Sequence, residues 1–161
     1  MMTVYDFTVK DDQGNDVPLA AYQNKVLLIV NTVTGCPYTA QYDGLQILYV
    51  RYHNAGFEIL DFPCYQFMEK EADAAEIHQV RKVRFGVTFP QFGKLFVSGP
   101  KEAPLYAYLK TQKKSLFGSS DIKLNFTKFL VNKKGEVVGR YSPEVKLSKI
   151  EKDIIKLLDE K

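Results

Sequence analysis

The chain has 161 residues, of which 45% are hydrophobic, and its 22 basic and 19 acidic residues give a formal charge of +3. That length supports one domain with its own core, and no apolar run reaches the roughly 18 residues that a membrane span needs. The basic residues are scattered along the chain, so nucleic acid is not indicated as a partner.

The first predicted elements are a hairpin and a buried strand. Strand patterns at Tyr5–Val9 and Val17–Leu19 flank a polar turn with a glycine, which is typical of an N-terminal β-hairpin. Lys25–Val30 is a nearly continuous apolar run, as expected of a strand covered on both faces. Apolar residues at helical spacing from Tyr42 to Tyr52 predict a helix after this strand.

The rest of the chain repeats the alternation of strand and helix. Phe57–Phe62 reads as a strand, which completes a parallel βαβ unit. The remaining predictions are a helix from Ala74 to Val83, a strand at Lys94–Val97, a short helix at Pro104–Lys110, a hairpin of Lys128–Asn132 with Glu136–Tyr141, and a final helix from Leu147 to Leu157. A mixed sheet with an antiparallel edge and helices on both faces is the thioredoxin-like α/β plan.

Cys36 is the candidate nucleophile. It lies between a predicted buried strand and the start of a helix, where unpaired N–H groups and the positive helix end stabilise an anion. This placement favours the thiolate, which is the form of cysteine that attacks peroxides. The alternative interpretation is that Cys36 is a small buried hydrophobic residue.

Cys64 is the second cysteine, and it follows the predicted strand Phe57–Phe62. The C-terminal ends of neighbouring parallel strands share one edge of a sheet, so Cys36 and Cys64 could lie near each other. The sequence does not supply the Cα separation of roughly 4.4 to 6.8 Å that a disulfide requires. A packed structural cysteine is the alternative. With two cysteines and no signal peptide in Met1–Asp6, we expect a reducing, cytoplasmic location.

Four segments, in chain order, resemble the motifs of the glutathione peroxidase family. They are Asn31–Tyr42 around Cys36, Phe62–Phe67, Val87–Pro90 and Leu124–Phe129. The resemblance spans nearly the whole chain and implies one thioredoxin-like domain over residues 1–161. It also implies reduction of hydroperoxides to water or alcohols as a defence against oxidative stress. Electrons would come from glutathione or thioredoxin, and no prosthetic group is expected.

The resemblance further implies a catalytic tetrad of Cys or selenocysteine, Gln, Trp and Asn. By motif position, Cys36 matches the nucleophile and Asn125 matches the Asn, but Lys70 replaces the Gln and Leu124 replaces the Trp. Leu124 donates no hydrogen bond, whereas the ammonium of Lys70 would favour the thiolate if it reached the sulfur. The alternatives are that Lys70 is a solvated lysine and that Asn125 only completes a turn.

Turnover requires a thiol that reduces the sulfenic acid formed on Cys36. The position that matches the resolving cysteine of thioredoxin-dependent relatives is Arg81, so that route is absent. A small thiol such as glutathione, Cys64, and a thiol of another protein remain as candidates. The small thiol ranks first because it needs no rearrangement, and cations such as Lys70 and Arg81 could attract its carboxylates.

The other reactive or aromatic residues do not indicate a cofactor. His53 and His78 lie far apart with no ligand cluster at metal-binding spacing. We interpret Phe89, Phe92 and Phe117 as core or rim packing. The chain lacks the inserted loop of oligomeric relatives, so a monomer is expected. A family member that acts as a redox sensor or interaction module is the alternative function, whereas a disulfide reductase is not favoured because no C-x-x-C pair occurs.

Overall fold

An antiparallel hairpin opens the fold in the computed structural model, which describes residues 1–116 and 118–161. Strands β1 (Thr8–Lys10) and β2 (Asp16–Pro18) pair directly. The carboxylate of Asp11 accepts two backbone N–H groups of the turn between them. The predicted hairpin is therefore confirmed. Its first strand starts later than expected because Val4–Asp6 forms a 3₁₀ turn.

In the described part of the chain, the central sheet has four strands in the order β4-β3-β5-β6. Strands β3 (Val26–Thr32) and β4 (Phe57–Pro63) are parallel, and all of their residues are buried. Strand β5 (Lys128–Val131) runs antiparallel to β3, and β6 (Val137–Tyr141) runs antiparallel to β5. The nearly continuous apolar run of β3 arises because both faces of this strand are covered.

Within residues 1–116 and 118–161, four α-helices flank this sheet. They are α1 (Gln41–Tyr52), α2 (Ala74–His78), α3 (Pro104–Gln112) and α4 (Leu147–Leu158). A π-helical segment, Gln79–Arg84, continues α2. The helix predicted from Ala74 to Val83 therefore exists, but its second half is π-helical.

Alternate residues of β3 enter two separate cores. Leu28 and Val30 pack in the core that α1, α2 and α4 cover. Leu27 and Ile29 point to the opposite face and pack in the core that α3 covers. Side chains of a strand alternate between the faces of a sheet, so one strand serves both cores. The mixed sheet with helices on both faces is as predicted.

The predicted strand at Lys94–Val97 is wrong. Leu95 donates its backbone N–H to Pro63, and Phe96 forms a single bridge with Glu102, but no ladder develops. A strand needs a partner along its length, and this segment meets β4 only at the last residue of that strand. Among the aromatic residues interpreted as packing, Phe89 and Phe92 are buried, and Phe117 lies outside the described residues.

Candidate active site

Cys36 lies where the chain leaves strand β3 and enters helix α1. The strand ends at Thr32, the chain turns through Gly35 with φ of 92°, and Cys36 then precedes a 3₁₀ turn, Pro37–Ala40, that runs into α1. Only a residue without a side chain adopts such a φ readily. The thiol is partly exposed and free. The structure therefore places Cys36 at the strand-to-helix junction that the sequence predicted.

The side chain of Thr39 holds the turn around Cys36. Its hydroxyl accepts the Cys36 backbone N–H at 3.1 Å and donates to the Val33 carbonyl at 2.8 Å. The same oxygen lies 3.6 Å from the Cys36 sulfur, so rotation of the hydroxyl can turn its single hydrogen toward the sulfur. Thr39 was not predicted from the sequence; it occupies the third position of the turn, from which the side chain of a capping box accepts the backbone N–H of the residue that precedes the turn.

Asn125 is fastened to the end of β3. Asn31, the penultimate residue of that strand, donates from Nδ2 to the Asn125 side-chain oxygen and to the Leu124 carbonyl, both at 3.2 Å. Asn125 is 6% exposed. Its own Nδ2 donates to no other side chain or carbonyl within residues 1–116 and 118–161. A donor at the C-terminal end of β3, the end that leads to Cys36, is thus left free.

Lys70 and Leu124, the two substituted tetrad positions, are both on the surface. Leu124 is 48% exposed. Lys70 is exposed, and in the described part of the chain its ammonium forms no hydrogen bond with Cys36 and no ion pair with a carboxylate. The loop that carries Lys70 is nevertheless joined to the Cys36 loop, because the hydroxyls of Tyr65 and Thr34 lie 2.6 Å apart.

Cys64 lies in a different core from Cys36. Its side chain is fully buried among the residues that α3 covers, whereas Cys36 packs against the core under α1. Burial raises the pKa of the Cys64 thiol, whose sulfur donates to the Gln66 side-chain oxygen. These observations favour the packed structural interpretation of Cys64.

Arg81 is buried, contrary to its expected role as a surface cation for an incoming thiol. Its Nη2 lies 2.9 Å from the carboxylate of Asp61, and it also donates to the Tyr42 hydroxyl. Thr32 and Tyr42 donate to the same carboxylate. The pKa of Tyr42 is raised by burial and by the charge of Asp61. The signal for this network was Asp61 itself, a carboxylate near the end of a buried strand.

Neither a metal-binding cluster nor a membrane-spanning helix occurs among the described residues. Among residues 1–116 and 118–161, no three side chains of His, Cys, Asp or Glu are placed to share a metal ion. Over the same residues, no helix is long and apolar enough to cross a membrane. His53 lies 3.6 Å from Glu58, and His78 is exposed on α2.

The chain is similar to known proteins over nearly its whole length. The family model described as glutathione peroxidase matches residues 4–110. A glutathione peroxidase homolog of Neisseria meningitidis is 48% identical over 98% of this chain and 100% of its own length. A probable phospholipid hydroperoxide glutathione peroxidase of Citrus sinensis is 50% identical over 98% of this chain and 95% of its own length.

Solved structures agree on the fold. The crystal structure of Trgpx in apo form superposes with a TM-score of 0.84 at 35% identity, covering 99% of this chain and 97% of its own. A thioredoxin-family thiol:disulfide interchange protein of Chlorobium tepidum superposes with a TM-score of 0.72 at 13% identity, covering 98% and 96%. At that identity the second likeness bears on the fold alone, which is thioredoxin-like as predicted.

Proposed function

The chain belongs to the glutathione peroxidase family and is a peroxidase, and from this premise we propose that its reactive group is the sulfur of Cys36. The observation that carries the proposal is the contrast between the two thiols. Cys36 is partly exposed at the start of a helical turn, whereas Cys64 is fully buried and has a raised pKa. Only a thiolate that a peroxide can reach is able to react.

The first half of the reaction oxidises Cys36. The thiolate attacks one oxygen of the hydroperoxide, an S–O bond forms, and the O–O bond breaks. The departing oxygen leaves as hydroxide or alkoxide and takes a proton to become water or an alcohol, while the sulfur becomes a sulfenic acid. Hydrogen-bond donors lower the barrier by stabilising the charge on the departing oxygen. The free Nδ2 of Asn125 is the donor that we assign to this task.

Lys70 supplies positive charge in the same proposal. Its loop is joined to the Cys36 loop through Tyr65 and Thr34, and its ammonium pairs with no carboxylate in the described part of the chain. A long flexible side chain that is free of partners can approach the sulfur and favour its thiolate. Leu124 offers no such replacement for the indole donor of the family motif.

The second half of the reaction uses an external thiol. The family uses glutathione or thioredoxin as its reductant, and we propose that this member uses glutathione or another small thiol. Arg81 stands where a resolving cysteine would be, and Cys64 packs in the opposite core. The small thiol attacks the sulfenic acid sulfur, water leaves and a mixed disulfide forms. A second thiol then releases the oxidised reductant and restores Cys36.

The biological setting belongs to the same proposal. We infer a cytoplasmic monomer that protects against oxidative stress, supported by free cysteines in a chain without a disulfide framework. Hydroperoxides and a thiol reductant are its only proposed partners.

A steady-state assay with glutathione and thioredoxin supplied separately tests this proposal. Hydrogen peroxide and an alkyl hydroperoxide serve as substrates, and peroxide loss is followed with each reductant alone. We expect the wild type to sustain turnover with glutathione. We expect the Cys36→Ser variant to show no turnover. Turnover that requires thioredoxin would contradict the choice of reductant, and turnover by Cys36→Ser would contradict the choice of nucleophile.

A redox sensor is the second candidate, and the substitutions at Lys70 and Leu124 favour it. With two donors of the tetrad replaced, Cys36 would oxidise once and pass the oxidation to a partner protein. The same assay distinguishes the two functions. An enzyme consumes many equivalents of peroxide with either reductant, whereas a sensor consumes about one equivalent and stops.

A further inference from the structure

We propose that Asn31 is a positioning residue, whose amide forces Asn125 to present its Nδ2 toward the active site as a hydrogen-bond donor. The inference rests on the proposed function, in which Asn125 donates to the reacting peroxide. Asn31 itself is fully buried within β3 and five residues before Cys36. It acts through Asn125 and not on the substrate.

The orientation of both amides follows from a single backbone carbonyl. The Leu124 carbonyl only accepts hydrogen bonds, so the atom of Asn31 that lies 3.2 Å from it must be the nitrogen. The same nitrogen lies 3.2 Å from the Asn125 side chain, and the atom there must be the oxygen. The Asn125 nitrogen therefore points the other way. Rotating either amide by half a turn would bring two oxygens or two N–H groups together.

The side chain of Asn31 serves as a donor only. Its own oxygen is buried and accepts no hydrogen bond from the described residues. A buried amide that leaves its acceptor unused is costly, so packing alone does not explain an asparagine here. Both of its hydrogen bonds as a donor go to the segment that carries Asn125.

The backbone of this segment is held just as firmly. Phe126 donates its N–H to the Asn31 carbonyl at 2.5 Å and adopts a φ of 64°. A residue with a side chain adopts such a left-handed conformation only where its surroundings enforce it, and conformations of this kind concentrate at functional sites. Three hydrogen bonds thus join Asn31 to Leu124, Asn125 and Phe126.

The same strand end also positions the turn around Cys36. Asn31, near the end of β3, fixes Asn125. The carbonyl of Val33, the residue that follows β3, accepts from the Thr39 hydroxyl, and that hydroxyl accepts the Cys36 backbone N–H. The structure thus links the end of one buried strand both to Asn125 and to the turn that carries Cys36.

A double-mutant cycle tests the proposal on one reaction, the oxidation of Cys36 by hydrogen peroxide in single turnover. Removing one donor to a developing oxyanion typically slows a reaction by about 100-fold, so we expect roughly that loss for Asn125→Ala. Asn31→Ala leaves Asn125 free to rotate, and we expect a loss on the order of 10-fold. In the Asn125→Ala background, adding Asn31→Ala should change the rate by less than about twofold.

Thr127→Val is the matched control. Thr127 is buried and its hydroxyl donates to the same Leu124 carbonyl at 2.8 Å, but its side chain forms no hydrogen bond with Asn125 among the described residues. We expect it to reduce the thermal stability of the protein and to keep the peroxide rate. Alkylation of Cys36 by iodoacetamide is the second readout. Alkylation releases iodide and no oxygen that needs a hydrogen-bond donor. Asn31→Ala should therefore leave the alkylation rate unchanged.

Each outcome decides the inference. If Asn31→Ala slowed peroxide oxidation equally in the wild type and in the Asn125→Ala variant, its role would be structural and the inference would be overturned. Equal slowing of alkylation and of peroxide oxidation by Asn31→Ala would have the same meaning. An unchanged peroxide rate in Asn31→Ala would also overturn it while leaving the proposed function intact. A wild-type protein whose Cys36 does not react with peroxide would overturn both. Should Asn31→Ala not fold, Asn31→Ser undergoes the same cycle, because its hydroxyl is too short to hold both partners.

Discussion

The guanidinium of Arg81 lies 2.9 Å from the carboxylate of Asp61, and both side chains are buried. The contact joins the π-helical segment Gln79–Arg84 to strand β4. By resemblance, Arg81 stands at the position of the resolving cysteine in thioredoxin-dependent relatives. The resemblance therefore implies that a buried ion pair occupies the position of a resolving thiol in this chain. That replacement is the main reason to expect an external reductant.

Breaking this ion pair should destabilise the protein strongly. Arg81→Met leaves the carboxylate of Asp61 buried without its counter-charge, and such a loss typically costs about 3–5 kcal/mol of the free energy of unfolding. Urea denaturation measures it. The matched control is Arg51→Met, which removes the exposed ion pair with Glu151 and should cost less than about 1 kcal/mol. Equal losses in the two variants would contradict the prediction.

The two cysteines should differ in both reactivity and function. Iodoacetamide should label Cys36 in the folded protein at least about 100-fold faster than Cys64, because Cys64 is buried and its pKa is raised. Peptide mass spectrometry over time measures both rates. Cys64→Ser should retain peroxidase activity. Fast labelling of Cys64 would show that the opposite core opens readily, and loss of activity in Cys64→Ser would make it a candidate resolving thiol.

The charge of Lys70 should accelerate the reaction with peroxide. We expect Lys70→Met to lower the rate of Cys36 oxidation by roughly 3- to 10-fold at low salt, with a smaller effect at high salt because ions screen an exposed charge. Stopped-flow measurement at two ionic strengths checks both points. Lys134→Met is the control, since Lys134 is exposed in the β5–β6 turn at the other end of the sheet. An identical rate in the two variants would leave Lys70 as a solvated lysine.

Lys128 should make stability depend on pH in the alkaline range. Burial lowers its pKa from 10.5 to about 8, although the charge of Glu144 opposes the shift. Between about pH 8 and pH 10.5, Lys128 keeps its proton in the unfolded chain but has lost it in the folded chain. The free energy of unfolding therefore rises with pH over this range. Relative to Lys128→Met, the wild type should gain roughly 3 kcal/mol from pH 8 to 10.5. A difference between the two proteins that stays constant with pH would contradict this.

The spacing of apolar residues predicted most of the fold, because that spacing depends on which faces of each strand or helix are buried. The apolar run at Lys25–Val30 reflects a strand that is buried on both faces, and the stripe from Leu147 to Leu157 reflects one packed face of α4. The strand expected at Lys94–Val97 failed for a reason that is not local. Its residues have suitable side chains, but the segment meets the neighbouring strand β4 only at Pro63, so the two do not pair along their length.

The candidate site was predictable only in part. Cys36 follows from its position between a strand and a helix, and Lys70, Leu124 and Asn125 follow from motif resemblance. The contact between Asn31 and Asn125 joins residues 94 positions apart, and no spacing rule predicts it. The burial of Arg81 was missed for a related reason. A charged residue is assigned to the surface unless its distant partner is known.

The most direct test of the central claim is the intact mass of the protein after one equivalent of hydrogen peroxide, followed by glutathione. We predict the gain of one oxygen, located on Cys36 by peptide mapping. Glutathione should then replace it with one glutathionyl group, and excess glutathione should restore the original mass. The loss of two hydrogens before glutathione is added would mean a disulfide between Cys36 and Cys64, and it would contradict an external thiol acting on a lone Cys36 sulfenic acid.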